Sequence, residues 1–256
     1  MTDASPTPVP ASLELSEHEC LSFLIHSDAK VGKTTLSQTA PYPLLIVDVD
    51  GRGSKALNAR KVYWNPHTEK PPTHDGTWDI AIVYARDWAT ILQTYQWLAT
   101  DQHPFVSFSL DSITEIQRRC RKNLKGSDAM QQQDWGVLLS KMEDVLRDYR
   151  DLVGNHPTIR VGLFITESRR QTHRWEPYLQ GSIAKSVPFW MDIMAFLDFE
   201  LLPDANGQYT QRVRKLCIGQ DPGYQAGGRT GGRVPDIIYE PNISDILRLM
   251  YKNDQR

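Results

Sequence analysis

Cysteine is scarce in this chain. Three residues, Cys20, Cys120 and Cys217, stand far apart in 256 positions. No two share C-x-x-C spacing and their number is odd. That argues against a thiolate metal site or a disulfide framework and favours a reducing compartment. Net charge is nearly absent too, since 29 basic against 31 acidic residues leave −2. An overall basic field drawing the protein to nucleic acid is therefore excluded, and any such contact must come from a local patch. Long apolar runs are missing, and none reaches the roughly 20 residues of a membrane-spanning helix. The N-terminus lacks a basic segment followed by an apolar one, the mark of a secretory signal. These absences lead us to expect a soluble, cytoplasmic protein with no membrane partner. No internal repeat is visible.

What is present is ordinary globular composition, 40% hydrophobic and 23% charged, with length for one large domain. Residues 1–16 open on a Pro-, Ser- and Thr-rich run and read as a flexible tail. After them, short apolar runs alternate with helical patterns. Strands are expected over Leu21–His26, Leu44–Asp50, Trp78–Tyr84, Phe105–Asp111 and Ile159–Thr166. Helices are expected within GKTTLSQTA, over 86–100, after Asp111 and over 134–153. In the last of these, Trp135, Leu138, Met142, Val145, Tyr149 and Leu152 recur at helical spacing. Such alternation indicates βαβ units and a mainly parallel sheet. The last third differs. MDIMAFLDFELL and YTQRVRKLCIG flank Asn206-Gly207, a strong turn signal, and read as an antiparallel hairpin at a sheet edge. The hairpin and a loop with six glycines between Gly219 and Gly232 occupy 191–235, and a helix is expected over 242–252.

Residues 27–35, SDAKVGKTT, carry the most specific signal. Gly32-Lys33-Thr34 closes the pattern G-x-x-x-x-G-K-[ST], a loop whose backbone amides cradle phosphates. A strand in front and a helix behind are the context such a loop requires. Ser27 stands where the pattern has its first glycine, and serine disfavours positive φ. The loop proper is Ser27, Asp28, Ala29, Lys30, Val31 and Gly32. Lys33 would reach the β- and γ-phosphates, Thr34 would hold Mg²⁺ through its hydroxyl, and Thr35 follows in the helix. A second Mg²⁺ contact should end a separate buried strand, and Asp111 does, although its position also suits a helix cap. To orient an attacking water there are Asp48, Asp50 and Glu115, of which Asp50 stands nearest a strand end. His67, Glu69, His74 and Asp75 lack tight ligand spacing and are not read as metal ligands.

Taken in order, AKVGKTT, PLLIVDVDG, FVSFSLDSITEI, DWG before a long helix, and GLFITESRR resemble the RecA-like core of phage-encoded AAA-type ATPases. The nearest resemblance is to the fourth of the Sak families of single-strand annealing proteins, and it runs from about Leu21 to Leu249. It implies an α/β fold over 17–256, a single RecA-like P-loop NTPase domain with a mainly parallel sheet flanked by helices. It also implies ATP and Mg²⁺ as ligands. Lys33 and Asp50 would be catalytic, with Asp50 standing where relatives carry a longer glutamate. Glu167, after Thr166, falls where relatives carry a polar sensor of the γ-phosphate, and a glutamate there needs a cation beside it.

The same resemblance turns two basic stretches toward single-stranded DNA. One holds Arg118, Arg119, Arg121, Lys122 and Lys125. The other holds Arg169, Arg170, His173, Arg174 and Trp175. Arginines supply phosphate affinity, and an exposed aromatic can stack on a base. Such ATPases assemble with a neighbour's cation completing the site, which implies a homo-oligomer. Lys185, Arg229 and Arg233 are the candidates for that cation. A single-strand binding protein is a further expected partner. Two other readings stay open, a nucleotide kinase with the Gly-rich loop as a lid and a nucleotide-gated binding module without catalysis.

Overall fold

The computed structural model describes residues 19–204 and 207–252. The expected N-terminal tail and Asn206 of the expected turn lie outside these residues. One eleven-stranded sheet organises the chain. In chain order the first elements are β1 (Leu21–Ser27), α1 (Lys33–Ser37), β2 (Leu44–Asp48), β3 (Lys61–Tyr63), β4 (Ile80–Tyr84), α2 (Trp88–Leu98), β5 (Ser107–Asp111) and α3 (Ile113–Lys125). Then come α4 (Gln132–Asn155), β6 (Val161–Gln171), β7 (Arg174–Pro177), α5 (Ile183–Trp190), β8 (Ile193–Pro203), β9 (Tyr209–Cys217), β10 (Gly227–Gly228), β11 (Ile237–Tyr239) and α6 (Ile243–Tyr251).

Across the sheet the order is β11-β9-β8-β1-β6-β5-β2-β4-β3, with β7 pairing β6 and β10 pairing β8. From β8 to β3 every neighbouring pair is parallel. All seven residues of β1 are buried, as are all five of β2 and of β5. Strands covered on both faces read as unbroken apolar runs, which is why LSFLIH and LLIVD stand out in the sequence. Alternate residues of one strand go to opposite layers. Leu24, Val47, Phe108 and Phe164 pack with α2, α3, α4 and α5 on one side. Phe23, Ile25, Ile46 and Ile165 pack with α1 and α6 on the other. This is the α/β RecA-like architecture expected, and it gathers the carboxyl ends of β1, β2, β5 and β6 along one crevice, where open α/β sheets bind ligands.

Two local expectations need correction, and one helix was not expected. The strand expected to end at Thr166 runs on to Gln171, so SRRQTHRW is a β-hairpin rather than a loop. Ser168 pairs with Pro177 and Gln171 with Arg174. The hairpin of β8 and β9 is not the sheet edge, because β11 pairs outside β9. Residues 183–190 form a helix although Pro188 lies inside it. Pro188 is the sixth residue, so only the first turns precede it, and an interior proline hides the helix from a sequence reading.

Candidate nucleotide site

The missing glycine proves harmless. Ser27 is still in β1, fully buried and in register with Glu167. The left-handed turns fall later, at Lys30 with φ 61° and at Gly32 with φ 107°. Ser27 therefore needs no positive φ. Its hydroxyl donates to the Asp28 carbonyl at 2.7 Å, and the Asp28 carboxylate accepts from Ala29 N–H at 2.7 Å. Asp28, Ala29 and Lys30 are exposed, and the buried Ser27 and Val31 anchor them on either side.

Lys33 folds back across this loop. Its ammonium donates to Ser27 Oγ at 2.9 Å, to Asp28 O at 3.0 Å and to Ser27 O at 3.3 Å. Burial pushes its pKa down, and the carboxylates of Asp111, Glu167, Asp50 and Asp28 oppose that. An ammonium in such surroundings gains from an anion of its own.

The next residue joins two distant segments. Thr34 Oγ1 donates to Asp111 Oδ2 at 2.5 Å, although 77 positions separate them. Asp111 ends β5, and β6 lies between β5 and β1. Its alternative role as a helix cap falls to Ser112, whose hydroxyl accepts from Glu115 N–H. Burial raises the Asp111 pKa, and the hydrogen bond from Thr34 and the charge of Lys33 offset that only in part. Gly53 leaves a gap beside the pair. A Cβ on that residue would come within 3.2 Å of Thr34 Oγ1 and 3.4 Å of Asp111 Oδ2.

The two aspartates at the end of β2, Asp48 within it and Asp50 just after, divide their work. Asp48 is buried and spent on the turn, accepting from Gly51 N–H at 2.6 Å and Ser54 N–H at 3.3 Å. Asp50 opens to solvent, and among the described residues the hydrogen bond it accepts from a side chain is a long one, from Ser112 Oγ at 3.5 Å. Desolvation, then the nearby Asp111, Glu115, Asp48 and Glu167, push its carboxyl up to about 6. A carboxylate so tuned is suited to accept a proton near neutral pH.

Glu167 has the cation it needs. Arg118 binds it at 3.2 Å and Glu115 at 2.9 Å. Arg119 pairs with Glu115 at 3.3 Å and donates to the Val49 carbonyl. The N-terminal half of α3 is thus tied to Val49 just after β2 and to Glu167 within β6.

Residues 20–230 match the family model described as AAA domain. The chain belongs to the AAA domain family. No curated protein matches it. Among solved structures it is similar to one described as a prototypical ATPase from the type III secretion system of pathogenic bacteria. The identity is 11% and the TM-score 0.45, over 70% of this chain and 52% of that one, so this chain spans about half that protein's length.

An AAA domain is a P-loop ATPase, which implies a nucleotide and, as a rule, Mg²⁺. The residues here suit that ion. Thr34 and Asp111 already touch, burial holds the Asp111 carboxyl up although Lys33 pulls it down, and Gly53 lies beside them. Among the described residues, no group of three or more His, Cys, Asp or Glu is arranged to hold a metal. A Mg²⁺ ion at this AAA site would therefore lean on one carboxylate, one hydroxyl and phosphate oxygens, its usual habit.

The other sequence candidates lie around this centre rather than in it. Arg121 and Lys122 are exposed on α3, and Lys125 is taken up by Asp134 at 3.0 Å. On the β6–β7 hairpin Arg169 lies 5.9 Å from the Tyr178 ring and Arg170 6.0 Å from the Trp175 ring. Arg174 and Trp175 are half-buried and His173 is exposed. Trp175 stacks on Phe196 at 6.2 Å, so its ring is part of the packing. Lys185, Arg229 and Arg233 are all exposed. Arg229 donates to the Phe189 carbonyl and Arg233 to the Thr230 carbonyl, so their contacts within the chain lie away from the phosphate loop.

Proposed function

We propose that this AAA domain binds and hydrolyses Mg·ATP and spends that cycle on single-stranded DNA. The reading covers recombination, annealing or replication carried out by an oligomer, of the kind phages encode. The bond between Thr34 and Asp111 carries the nucleotide part, because it joins the two segments that a phosphate-bound ion needs. Lys33 would exchange its loop acceptors for phosphate oxygens. Thr34 and Asp111 would hold Mg²⁺, which neutralises charge developing on the phosphates. Asp50 would orient the attacking water and take its proton.

The DNA part is supported by the resemblance to single-strand annealing ATPases and by the arginines flanking the crevice. Arg121 and Lys122 on α3, with Arg169, Arg170 and Arg174 on the hairpin, would offer phosphate contacts. Arg118 and Arg119 serve Glu167 and Glu115 first. Lys185, Arg229 and Arg233 are accessible to a neighbouring subunit's site.

The test is ATP turnover with and without single-stranded DNA, beside Lys33→Ala. We expect DNA-stimulated turnover that the substitution abolishes. Turnover requiring a nucleoside monophosphate would instead make this a kinase. Tight binding without turnover would make it a nucleotide-gated binding module.

A further inference from the structure

β9 carries three cations whose side chains go to different work. Lys215 pairs with Glu200 at 3.2 Å. Arg212 lies over the Phe199 ring at 3.5 Å. Arg214 reaches across the sheet to the phosphate loop. A Cβ built on Gly32 would stand 3.4 Å from Arg214 Cδ and 3.6 Å from Arg214 Nη1. Gly32 immediately precedes Lys33, so this guanidinium lies against the part of the loop that faces phosphate.

Arg214 is not idle there. Its Nη2 donates to Glu240 Oε2 at 3.0 Å and its Nε to the same oxygen at 3.3 Å. The backbone holds the two residues together as well, because Glu240 N–H donates to Arg214 O at 2.8 Å, and Arg214 N–H donates to the Glu240 carboxylate Oε1 at 3.0 Å. Glu240 follows β11 with a left-handed φ of 43°, a costly conformation for a residue with a Cβ. Both partners remain open to water, with side-chain exposures of 30% and 56%. An ion pair at such a surface is weak, so a triphosphate can displace the carboxylate. Arginine's planar fork suits phosphate oxygens as well as it suits carboxylate.

We propose that Arg214 is a nucleotide-binding residue acting on its own subunit's phosphate loop, and that Glu240 is the anion that holds it until the triphosphate arrives. This rests on the nucleotide reading above. It adds a cation from the C-terminal strands that motif matching does not reach.

The experiment measures ATP affinity by titration with a fluorescent ATP analogue and Mg²⁺. The proteins are the wild type, Arg214→Ala, Arg214→Lys and Glu240→Gln, each checked for folding by thermal melting. Loss of a charge-assisted contact should weaken binding about ten- to hundredfold in Arg214→Ala, and Arg214→Lys should recover part of it. Glu240→Gln should tighten binding, since its amide oxygen still accepts the Arg214 N–H while the competing charge is gone. If the pair were only a structural brace, both substitutions would weaken binding alike, and that result overturns the proposal. So does an Arg214→Ala affinity equal to the wild type. Mixing Arg214→Ala with Lys33→Ala subunits should give no recovery of binding, and recovery would assign the arginine to a neighbour instead. A wild type that binds no nucleotide would overturn this inference together with the reading beneath it, whereas failure of the variants alone leaves that reading standing.

Discussion

Arg118 holds Glu167 at 3.2 Å, linking the first turns of α3 to β6, the neighbour of the phosphate-loop strand. Glu167 is in register with Ser27 and is among the charges acting on the Lys33 ammonium. An acidic group so close to a triphosphate must be neutralised, and Arg118 does that from the helix carrying the first basic stretch.

Removing the arginine should therefore expose the nucleotide to Glu167. Arg118→Ala is expected to weaken ATP binding several-fold while changing stability by less than about 1 kcal/mol, because the pair is solvent-accessible. Adding Glu167→Gln to that variant should restore affinity. Titration with ATP and urea unfolding measure the two effects. An unchanged affinity in the single variant, or no recovery in the double, would disconnect Glu167 from the phosphates.

Asp50 predicts a pH dependence. Its carboxyl titrates at about 6, raised mainly by desolvation and then by Asp111 and its acidic neighbours. A base must be deprotonated to act, so kcat/KM should be level above that pH and fall as the pH drops through about 6. Asp50→Asn should lower turnover about a hundredfold or more with ATP binding retained. A profile that stays flat down to pH 5 would remove Asp50 from the reaction.

Much of this was readable from the residues alone, and the failures have physical causes. Buried parallel strands announce themselves because both faces are apolar, so β1, β2 and β5 were plain. Lys33, Thr34 and Asp111 were also legible, since each stands at a strand end or helix start that the pattern marks. Ser27 misled because the motif names a residue type while the backbone demands a dihedral angle, and that demand falls on Lys30 and Gly32. The extension of β6 beyond Thr166 was hidden because charged residues at a strand end look like a loop. Arg214 carries no local signal at all. Its approach to Gly32 is set by the placement of β8 and β9 beside β1, which only the folded sheet reveals.

His26 ties the phosphate-loop strand to two later segments. Its Nε2 meets the Gln225 carbonyl at 2.7 Å and must donate, which leaves Nδ1 to accept from Ser168 Oγ at 2.8 Å. Burial, helped by Lys33 and Arg174, pushes its pKa down to about 4. The folded protein thus refuses a proton that the unfolded chain takes up near pH 6.5, and stability falls as pH drops from 6.5 towards 4. Between pH 7 and 5 this group should cost about 2 kcal/mol. His26→Gln keeps a donor for Gln225 and removes the titration, so it should lose that much less on acidification in urea unfolding at the two pH values. Equal losses would refute the assignment.

Gly53 offers the sharpest separation of fold from function. Its φ is not left-handed, so alanine is tolerated by the backbone, and the atoms nearest the new methyl would be Thr34 Oγ1 at 3.2 Å, Thr34 Cγ2 at 3.4 Å and Asp111 Oδ2 at 3.4 Å. These side chains can yield by a few tenths of an ångström, so Gly53→Ala should melt within a few degrees of the wild type. A divalent ion between the same two oxygens has no such freedom, because Mg²⁺ demands near-ideal octahedral geometry at about 2.1 Å. Affinity for Mg·ATP should therefore fall about tenfold, while affinity for ATP in the presence of a chelator stays where it was. If both affinities fell together, the methyl would be disturbing the phosphate loop rather than the ion. If neither fell, the ion would not sit beside Thr34 and Asp111, and the pairing of those residues would be a matter of packing alone.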